Sequence, residues 1–380
     1  MDVLVGKEDS LILKGFAIIS MIILHLFAFP NHLPESEIKH YLILNDEIIN
    51  FCRPLNVCVS LFLFVSGIGL AYNAISGTTL AFFNTIKKSL FKFYNIYIPS
   101  LLIFSILLNL FPYNHSIPKI SILDFLKALT CWDTSYISPI WWYASLFVEC
   151  ILILFPLSFF ILRKFTYFRG WLLLFVSFIP CFILAFCKAR SIEIFPLLSY
   201  LKWSPCFIVG YILGIIQYKK EDSNIPNWIL YFNQLRSHCF LKRLGIVISI
   251  LFLMFLTFEI FNKFSHFSSI FSLQIYNAIS LFPICIFCLL IIFNFSSTSF
   301  VKKILMLFGK YSGLMWLIHP FIIYYYLYDF IYSFNNIFLI AIISISLSLV
   351  VAILINWLIL TITHIAINIK KRFLFFIISK

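Results

Sequence analysis

The sequence predicts an all-α fold: a polytopic transmembrane helical bundle of about ten spans, with both termini in the cytoplasm. Hydrophobic residues make up 62% of the 380 positions and charged residues only 11%, which excludes an ordinary soluble protein. Apolar runs of about 20 residues recur along the chain, and such runs match the hydrocarbon thickness of a bilayer. No soluble domain interrupts them, so residues 1–380 are expected to form one integral membrane domain.

The predicted spans are the apolar runs themselves. Their approximate bounds are residues 11–30, 56–75, 93–112, 141–162, 171–187, 203–218, 244–261, 273–294, 312–332 and 336–362. The first run also has a length that suits a cleavable signal peptide. It is assigned as a membrane helix because no small-residue cleavage site follows it. Gly67, Gly210 and Gly214 within these runs predict close packing between helices.

The positively charged residues set the predicted orientation. With the amino terminus inside, 20 of the 28 Lys and Arg residues fall on the cytoplasmic side of these spans. Such an excess is typical of cytoplasmic loops, so the net charge of +13 does not indicate a nucleic-acid partner. The outer loops near residues 31–55 and 113–140 are expected to fold over a cavity that receives an extracellular substrate.

The ten cysteines show no disulfide framework. Cys285 and Cys288 have the spacing of a redox pair, but they lie in an apolar run, where cysteine more often has a packing role. The sequence also lacks the ligand spacing of zinc sites and the glycine loops that bind nucleotides. No metal site is expected.

Two ionisable residues, Lys14 and His25, interrupt the first apolar run. An ionisable group inside a membrane costs about 2.5–3.5 kcal/mol on insertion scales, so it is rare there without a function. The eleven-residue spacing is about three helical turns, which places both side chains on one face, about 16 Å apart. Each residue also has a simpler explanation, since Lys14 can anchor the helix at the inner surface and His25 can reach the outer interface.

These two residue types suit a reaction with one substrate on each side of the membrane. A neutral imidazole can take a proton from a hydroxyl group, which makes His25 a candidate general base. An ammonium group suits phosphate, which makes Lys14 a candidate contact for a phosphate-bearing donor in the cytoplasm.

Three further residues are candidates on the acceptor side. Glu149 is expected at a depth close to that of His25, where it would either orient the imidazole or make a polar contact between helices. His319, followed by Pro320, is either a substrate contact or a hydrogen-bonded core histidine at a proline kink. Trp142 belongs either to an aromatic belt or to a surface on which a sugar stacks.

Six short patterns follow one another along the chain. They are the basic-x10-His spacing of Lys14 and His25, VCVSLFLFVSG (Val57–Gly67), KKSLFKFYNIYIP (Lys87–Pro99), WWYASLFVECILILFP (Trp141–Pro156), WSPCFIVGYILG (Trp203–Gly214) and FGKYSGLMWLIHPF (Phe308–Phe321). In this order they resemble the motifs of the acyltransferase type 3 family, whose members are integral membrane acyltransferases. That family usually has Arg where this chain has Lys14, so a point charge replaces a bidentate phosphate contact.

The resemblance implies an acyl-CoA donor, with acetyl-CoA as the usual one, and a sugar of a surface or lipid-linked glycan as the acceptor. It implies that the CoA phosphates bind near Lys14, Lys88 and Lys92, and that His25 is the catalytic base. Glu149 then stands as its catalytic partner.

The expected protein is therefore a bacterial inner-membrane O-acyltransferase, of the O-acetyl type. A flippase or transporter of polysaccharide or lipid-linked sugar is the alternative from another class. It explains the spans, but not why Lys14 and His25 share one helix. A membrane glycan polymerase is a second alternative, and it predicts an arginine-rich outer loop, whereas the outer loops hold Arg53 and Arg190 alone.

Overall fold

The computed structural model describes residues 5–29, 46–74, 76–111, 120–180, 183, 186–187, 201–218 and 299–378. These ranges are built from helices and contain no strand, which confirms the all-α prediction. The α-helices are α1 (Lys7–Phe27), α2 (Asp46–Cys52), α3 (Val57–Asn73), α4 (Thr79–Leu110), α5 (Ile122–Leu129), α6 (Trp142–Glu149), α7 (Phe155–Leu162), α8 (Tyr167–Ser177), α9 (Ser204–Tyr218), α10 (Ser299–Pro320), α11 (Tyr328–Tyr332) and α12 (Ile337–Ile378). Two π-helical segments, Cys150–Leu154 and Phe321–Tyr326, follow α6 and α10.

Six helical stretches in the described ranges are long and apolar enough to cross a membrane. They are Lys7–Phe27, Glu47–Asn73, Thr79–Leu110, Pro139–Leu162, Phe300–Tyr326 and Ile337–Ile365. Each corresponds to a predicted span, so the prediction of a polytopic helical membrane protein is confirmed. The predicted spans at 171–187 and 203–218 correspond to the shorter apolar helices α8 and α9. Those at 244–261 and 273–294 lie outside the described residues.

Helix α4 begins 14 residues before the predicted start at residue 93. The hydroxyl of Thr78 explains this start, because it accepts a hydrogen bond of 3.1 Å from the Ala81 N–H and so caps the first turn. Pro99 lies within the helix without ending it. The lysines of this first part interrupt the apolar pattern, but they do not interrupt the helix.

Helix α10 likewise begins before the predicted span, at Ser299 rather than at residue 312. Its first turns carry lysines, one of which, Lys302, pairs with Glu8 of α1 at 2.6 Å. Helix α12 continues to Ile378, beyond the predicted end at residue 362. In both cases the hydropathy pattern predicts the apolar part of the helix correctly but underestimates the length of the helix.

The helix contacts group the chain into two compact units. Unit 1 comprises Met1–Met21, Pro54–Leu90 and Trp142–Lys310, and unit 2 comprises Ile22–Arg53, Phe91–Trp141 and Tyr311–Lys380. Helices α1, α4 and α10 contribute a part to each unit. The single domain over residues 1–380 stays a prediction.

In unit 1, α3 and α9 pack with their backbones in contact. A Cβ atom added to Gly67 would overlap the carbonyl oxygen of Phe207, and one added to Gly210 would overlap the carbonyl oxygen of Phe64. Gly214 makes a further close approach to α3. The close packing predicted for these three glycines is therefore confirmed.

The amino-terminal parts of α1 and α10 make the same kind of contact in unit 1. A Cβ on Gly15 would overlap the carbonyl oxygen of Leu305, and a Cβ on Gly309 would overlap that of Leu11. Glu8 pairs with Lys302, and each glycine follows the ion-paired residue of its own helix by seven positions, so the two segments run parallel. In unit 1, Gly15 and Gly309 therefore lie at corresponding positions of the two segments.

The core of unit 2 is aromatic. Trp141 is fully buried, and its Nε1–H donates a hydrogen bond of 3.0 Å to the carbonyl oxygen of Leu317 in α10. The rings of Phe104 and Phe321 stack with their centroids 3.7 Å apart, and Tyr97 packs against Trp141. These contacts hold the end of α10 against α4.

We predict that Gly67→Ala destabilises the folded protein by roughly 1–3 kcal/mol, because the new methyl group overlaps a carbonyl oxygen of α9. Gly69→Ala, on the same helix, is the matched control, since nothing lies within 4 Å of its added Cβ atom. Size-exclusion chromatography of detergent-purified protein after heating measures the melting temperature of each variant. Equal melting temperatures for the two variants would contradict this packing.

Candidate active site

His25 and His319 bring their imidazole rings together in unit 2. His25 lies in the last turn of α1, and His319 is the next-to-last residue of α10. The Nδ1 atom of His25 lies 2.7 Å from the Nε2 atom of His319, which is a hydrogen-bond distance. The two ring planes differ by 8°, and the residues are 9% and 0% exposed. Two ionisable rings thus share one buried hydrogen bond.

The second ring nitrogen of His319 is also engaged. Its Nδ1 atom lies 3.2 Å from the carbonyl oxygen of Met315, one turn earlier in α10. Both nitrogens of this ring therefore have partners, one on the neighbouring helix and one on its own. The orientation of the His319 ring is fixed at both sides.

Two tyrosines hold the carboxyl-terminal end of α1. The last carbonyl groups of a helix lack partners within it, and those of His25 and Leu26 belong to this group. The hydroxyl of Tyr324 donates to the carbonyl oxygen of His25, and the hydroxyl of Tyr332 donates to that of Leu26 at 2.7 Å. The backbone that carries the His25 ring is therefore tied down at the point where the helix ends.

Tyr324 lies in the π-helical segment Phe321–Tyr326, which follows Pro320 directly. A π-helical turn holds more residues than an α-helical turn, so this segment changes the register of the side chains after His319. This segment contributes Tyr324 to the end of α1.

The comparison with protein families decides the class of this site. The model of an acyltransferase domain, that of the type 3 family, matches residues 11–359, nearly the whole chain. The chain belongs to the acyltransferase type 3 family. No curated protein and no solved structure matches it. The predicted class of membrane acyltransferase is confirmed.

In this acyltransferase, Lys14 and His25 lie on one continuous helix, α1, as the sequence predicts. The side chain of Lys14 is half-buried. Lys88 and Lys92 lie on α4, and both are exposed. Binding of the donor phosphates by these three lysines stays a prediction.

Glu149 is the last residue of α6 and is 4% exposed. Neither of its carboxyl oxygens has a hydrogen-bond partner in the part of the chain that the structure describes. The π-helical segment Cys150–Leu154 follows it directly, and Pro156 comes shortly after that segment. The partner of His25 Nδ1 is Nε2 of His319. The role of Glu149 as catalytic partner of His25 stays a prediction.

Trp142 begins α6 and is half-buried in unit 1. Its ring lies against that of Trp203, with the centroids 6.5 Å apart and the planes at 24°. Lys202 Nζ lies 5.7 Å from the centre of the Trp203 ring. An aromatic pair of this kind suits the face of a sugar, and the sugar contact of Trp142 stays a prediction.

Over the described ranges, no three His, Cys, Asp or Glu side chains lie close enough together to hold a metal ion. Cysteines such as Cys58 and Cys150 carry free, buried thiols. Cys285 and Cys288 lie outside the described residues.

The sequence analysis did not identify Trp141, Tyr324 or Tyr332 as parts of this site. Trp141 and Trp142 are adjacent, and the sequence does not distinguish the one whose N–H binds the Leu317 carbonyl oxygen. For Tyr324 a signal exists in the sequence, since it is the first of three tyrosines, at positions 324–326, that follow the His319–Pro320 pair. Its contact with α1 depends on a π-helical register that no residue pattern reveals.

We predict that Tyr332→Phe destabilises the protein by about 1–3 kcal/mol, because it leaves the buried Leu26 carbonyl oxygen without this donor. Tyr167→Phe is the control, since Tyr167 is exposed and the substitution keeps its ring contact with Phe165. Thermal unfolding in detergent compares the two variants with the wild type. A Tyr332→Phe variant as stable as Tyr167→Phe would show that this hydroxyl does not hold the end of α1.

Proposed function

We propose that this acyltransferase moves an acetyl group from cytoplasmic acetyl-CoA to a hydroxyl group of a surface or lipid-linked sugar, with His25 as the general base. The observation that carries the proposal is the setting of the His25 ring. It is buried at the end of a membrane-spanning helix, its backbone is held by Tyr324, and its Nδ1 atom is held by a second imidazole. Because Nδ1 is engaged with His319, Nε2 is the nitrogen that we propose for the proton transfer.

The donor side of the proposal rests on Lys14. Lys14 precedes His25 by eleven residues on the same helix, which is about 16 Å at 1.5 Å per residue. The phosphates of a CoA molecule and its thioester sulfur are separated by a pantetheine arm of that order. Phosphates near Lys14 would therefore allow the thioester to reach the level of His25, and the exposed Lys88 and Lys92 of α4 would add positive charge for the same phosphates.

The proposed step is a transfer from a thioester to an oxygen ester. His25 takes the proton of the acceptor hydroxyl as its oxygen attacks the thioester carbonyl carbon. The carbon–sulfur bond then breaks, and the thiolate leaves with that proton as free CoA. The products are the acetylated sugar and CoA–SH, and His25 returns to its neutral form.

The acceptor is proposed from the class of the protein. The family implies a sugar or a similar acceptor. The Trp142–Trp203 pair offers apolar ring faces on which a sugar can stack. The membrane proposed is the plasma membrane of a bacterium, where exported glycans pass on the outer side.

We predict that His25→Ala lowers the rate of ester formation about 10²–10⁴-fold, because it removes the general base. The measurement is the content of base-labile esters on surface glycans, in cells whose only copy of the protein is the variant. His364→Ala is the matched control, because His364 is an exposed histidine of α12 and its replacement should leave the ester content unchanged. Equal ester content in the wild type and the His25→Ala variant, with normal glycan length, would overturn the proposal, and shortened glycans would indicate a transporter or a polymerase instead.

For the donor side, we predict that Lys14→Ala raises the KM for acetyl-CoA roughly tenfold, whereas Lys14→Arg keeps it near the wild-type value. The reason is that a guanidinium replaces the positive charge and adds bidentate contacts to phosphate. The release of free CoA thiol by membranes that hold each variant gives KM and kcat. If both variants match the wild type, Lys14 is an anchor for the helix and not a donor contact.

A further inference from the structure

The hydrogen bonds around His319 fix the position of every proton in the two-ring pair. A carbonyl oxygen can only accept, so the contact of 3.2 Å with Met315 requires the proton of His319 on Nδ1. A neutral imidazole carries one N–H, so Nε2 of His319 holds a lone pair and must accept. The partner of this lone pair at 2.7 Å is Nδ1 of His25, which must therefore donate.

The same hydrogen bonds determine whether the other nitrogen of His25 carries a proton. With its proton on Nδ1, the neutral His25 ring has its lone pair on Nε2. A charge on either ring inside the membrane costs several kcal/mol, so both rings are neutral at rest. The carbonyl oxygen of Met315 thus selects, through His319, the tautomer in which His25 can act as a base.

We infer that His319 is a positioning residue for His25, and not a contact for the sugar. This inference rests on the proposed function, because it assigns the group that prepares the base for that reaction. His319 is 0% exposed and both of its ring nitrogens have partners, so neither is directed at a substrate. It corresponds in role to the buried acceptor that orients the histidine of a catalytic triad, with a neutral ring in place of a carboxylate.

The arrangement also serves the charged state of the reaction. When His25 Nε2 takes the proton of the acceptor hydroxyl, the ring becomes an imidazolium. Its Nδ1–H then donates a charge-assisted hydrogen bond to the lone pair of His319, which is stronger than the bond between neutral rings. The pair therefore stabilises the transition state more than the resting state, which is the condition for a gain in kcat.

The test uses full-length protein in detergent or nanodiscs with acetyl-CoA and a glycan extract, and follows the release of CoA thiol. His319→Phe keeps a planar ring but removes the acceptor for His25 Nδ1, and His319→Gln restores an oxygen acceptor near the position of Nε2. We expect the Phe variant to lose about 10²-fold or more in kcat, with the KM for acetyl-CoA within about threefold of the wild type. We expect the Gln variant to recover at least about tenfold of that loss. His319→Leu replaces the Phe variant if that variant does not accumulate.

The outcomes separate this inference from the proposed function. A His319→Phe enzyme with wild-type kcat overturns the positioning role while His25 remains the base. Phe and Gln variants that are equally impaired also overturn it, since a packing role gives no advantage to an acceptor. Transfer by a His25→Ala enzyme at the wild-type rate overturns the proposed function itself, whatever the His319 variants do.

Discussion

The hydrogen bond between His25 and His319 requires that the backbones of α1 and α10 in unit 2 be held in fixed positions. A bond of 2.7 Å between two rings on different helices tolerates little movement of either backbone. Tyr324 and Tyr332 bind the carbonyl groups at the end of α1, and Trp141 binds the carbonyl group of Leu317 near the end of α10. Each helix is therefore held within a few residues of its histidine, at a point where helix ends would otherwise fray.

Small residues allow close contact between the same two helices in unit 1. Gly15 and Gly309 let the amino-terminal parts of α1 and α10 approach until backbone touches backbone. There is little hydrophobic driving force between helices in a membrane, so close van der Waals contact of this kind supplies much of their association. The ion pair of Glu8 with Lys302 adds a fixed register between the same two segments. Within unit 1, these contacts therefore fix α1 and α10 against each other.

The sequence alone predicts the membrane class, the family and the placement of Lys14 and His25 on one helix, and all three are confirmed. The membrane class and the shared helix follow from hydropathy and the 3.6-residue period, whereas the family follows from the resemblance of six short motifs; all of these are local properties of the chain. The partner of His25 could not be predicted in the same way. His319 lies 294 residues away, and its contact is set by the packing of α10 against α1. A residue pattern marks His319 as unusual, but only the fold shows what its ring touches.

The helix bounds show the same division between local and non-local causes. The predicted spans start only after the lysines near the beginnings of α4 and α10, because charge interrupts an apolar run. The helices continue through these lysines, with a Thr78 cap on α4 and the Glu8–Lys302 pair on α10. Hydropathy therefore marks the part of a helix that is apolar enough for lipid, whereas a cap such as that of Thr78 marks where the helix begins.

We infer that, in the resting protein, His25 carries its proton on Nδ1 and its lone pair on Nε2. Nitrogen NMR of protein with ¹⁵N-labelled histidine tests it directly, with the His25 signals assigned by their loss in His25→Ala. We expect a protonated Nδ1 and an unprotonated Nε2 for His25, with a hydrogen-bond coupling from that Nδ1 to Nε2 of His319. A His25 ring with its proton on Nε2 would rule out this tautomer, because its Nε2 then has no lone pair to offer an acceptor hydroxyl.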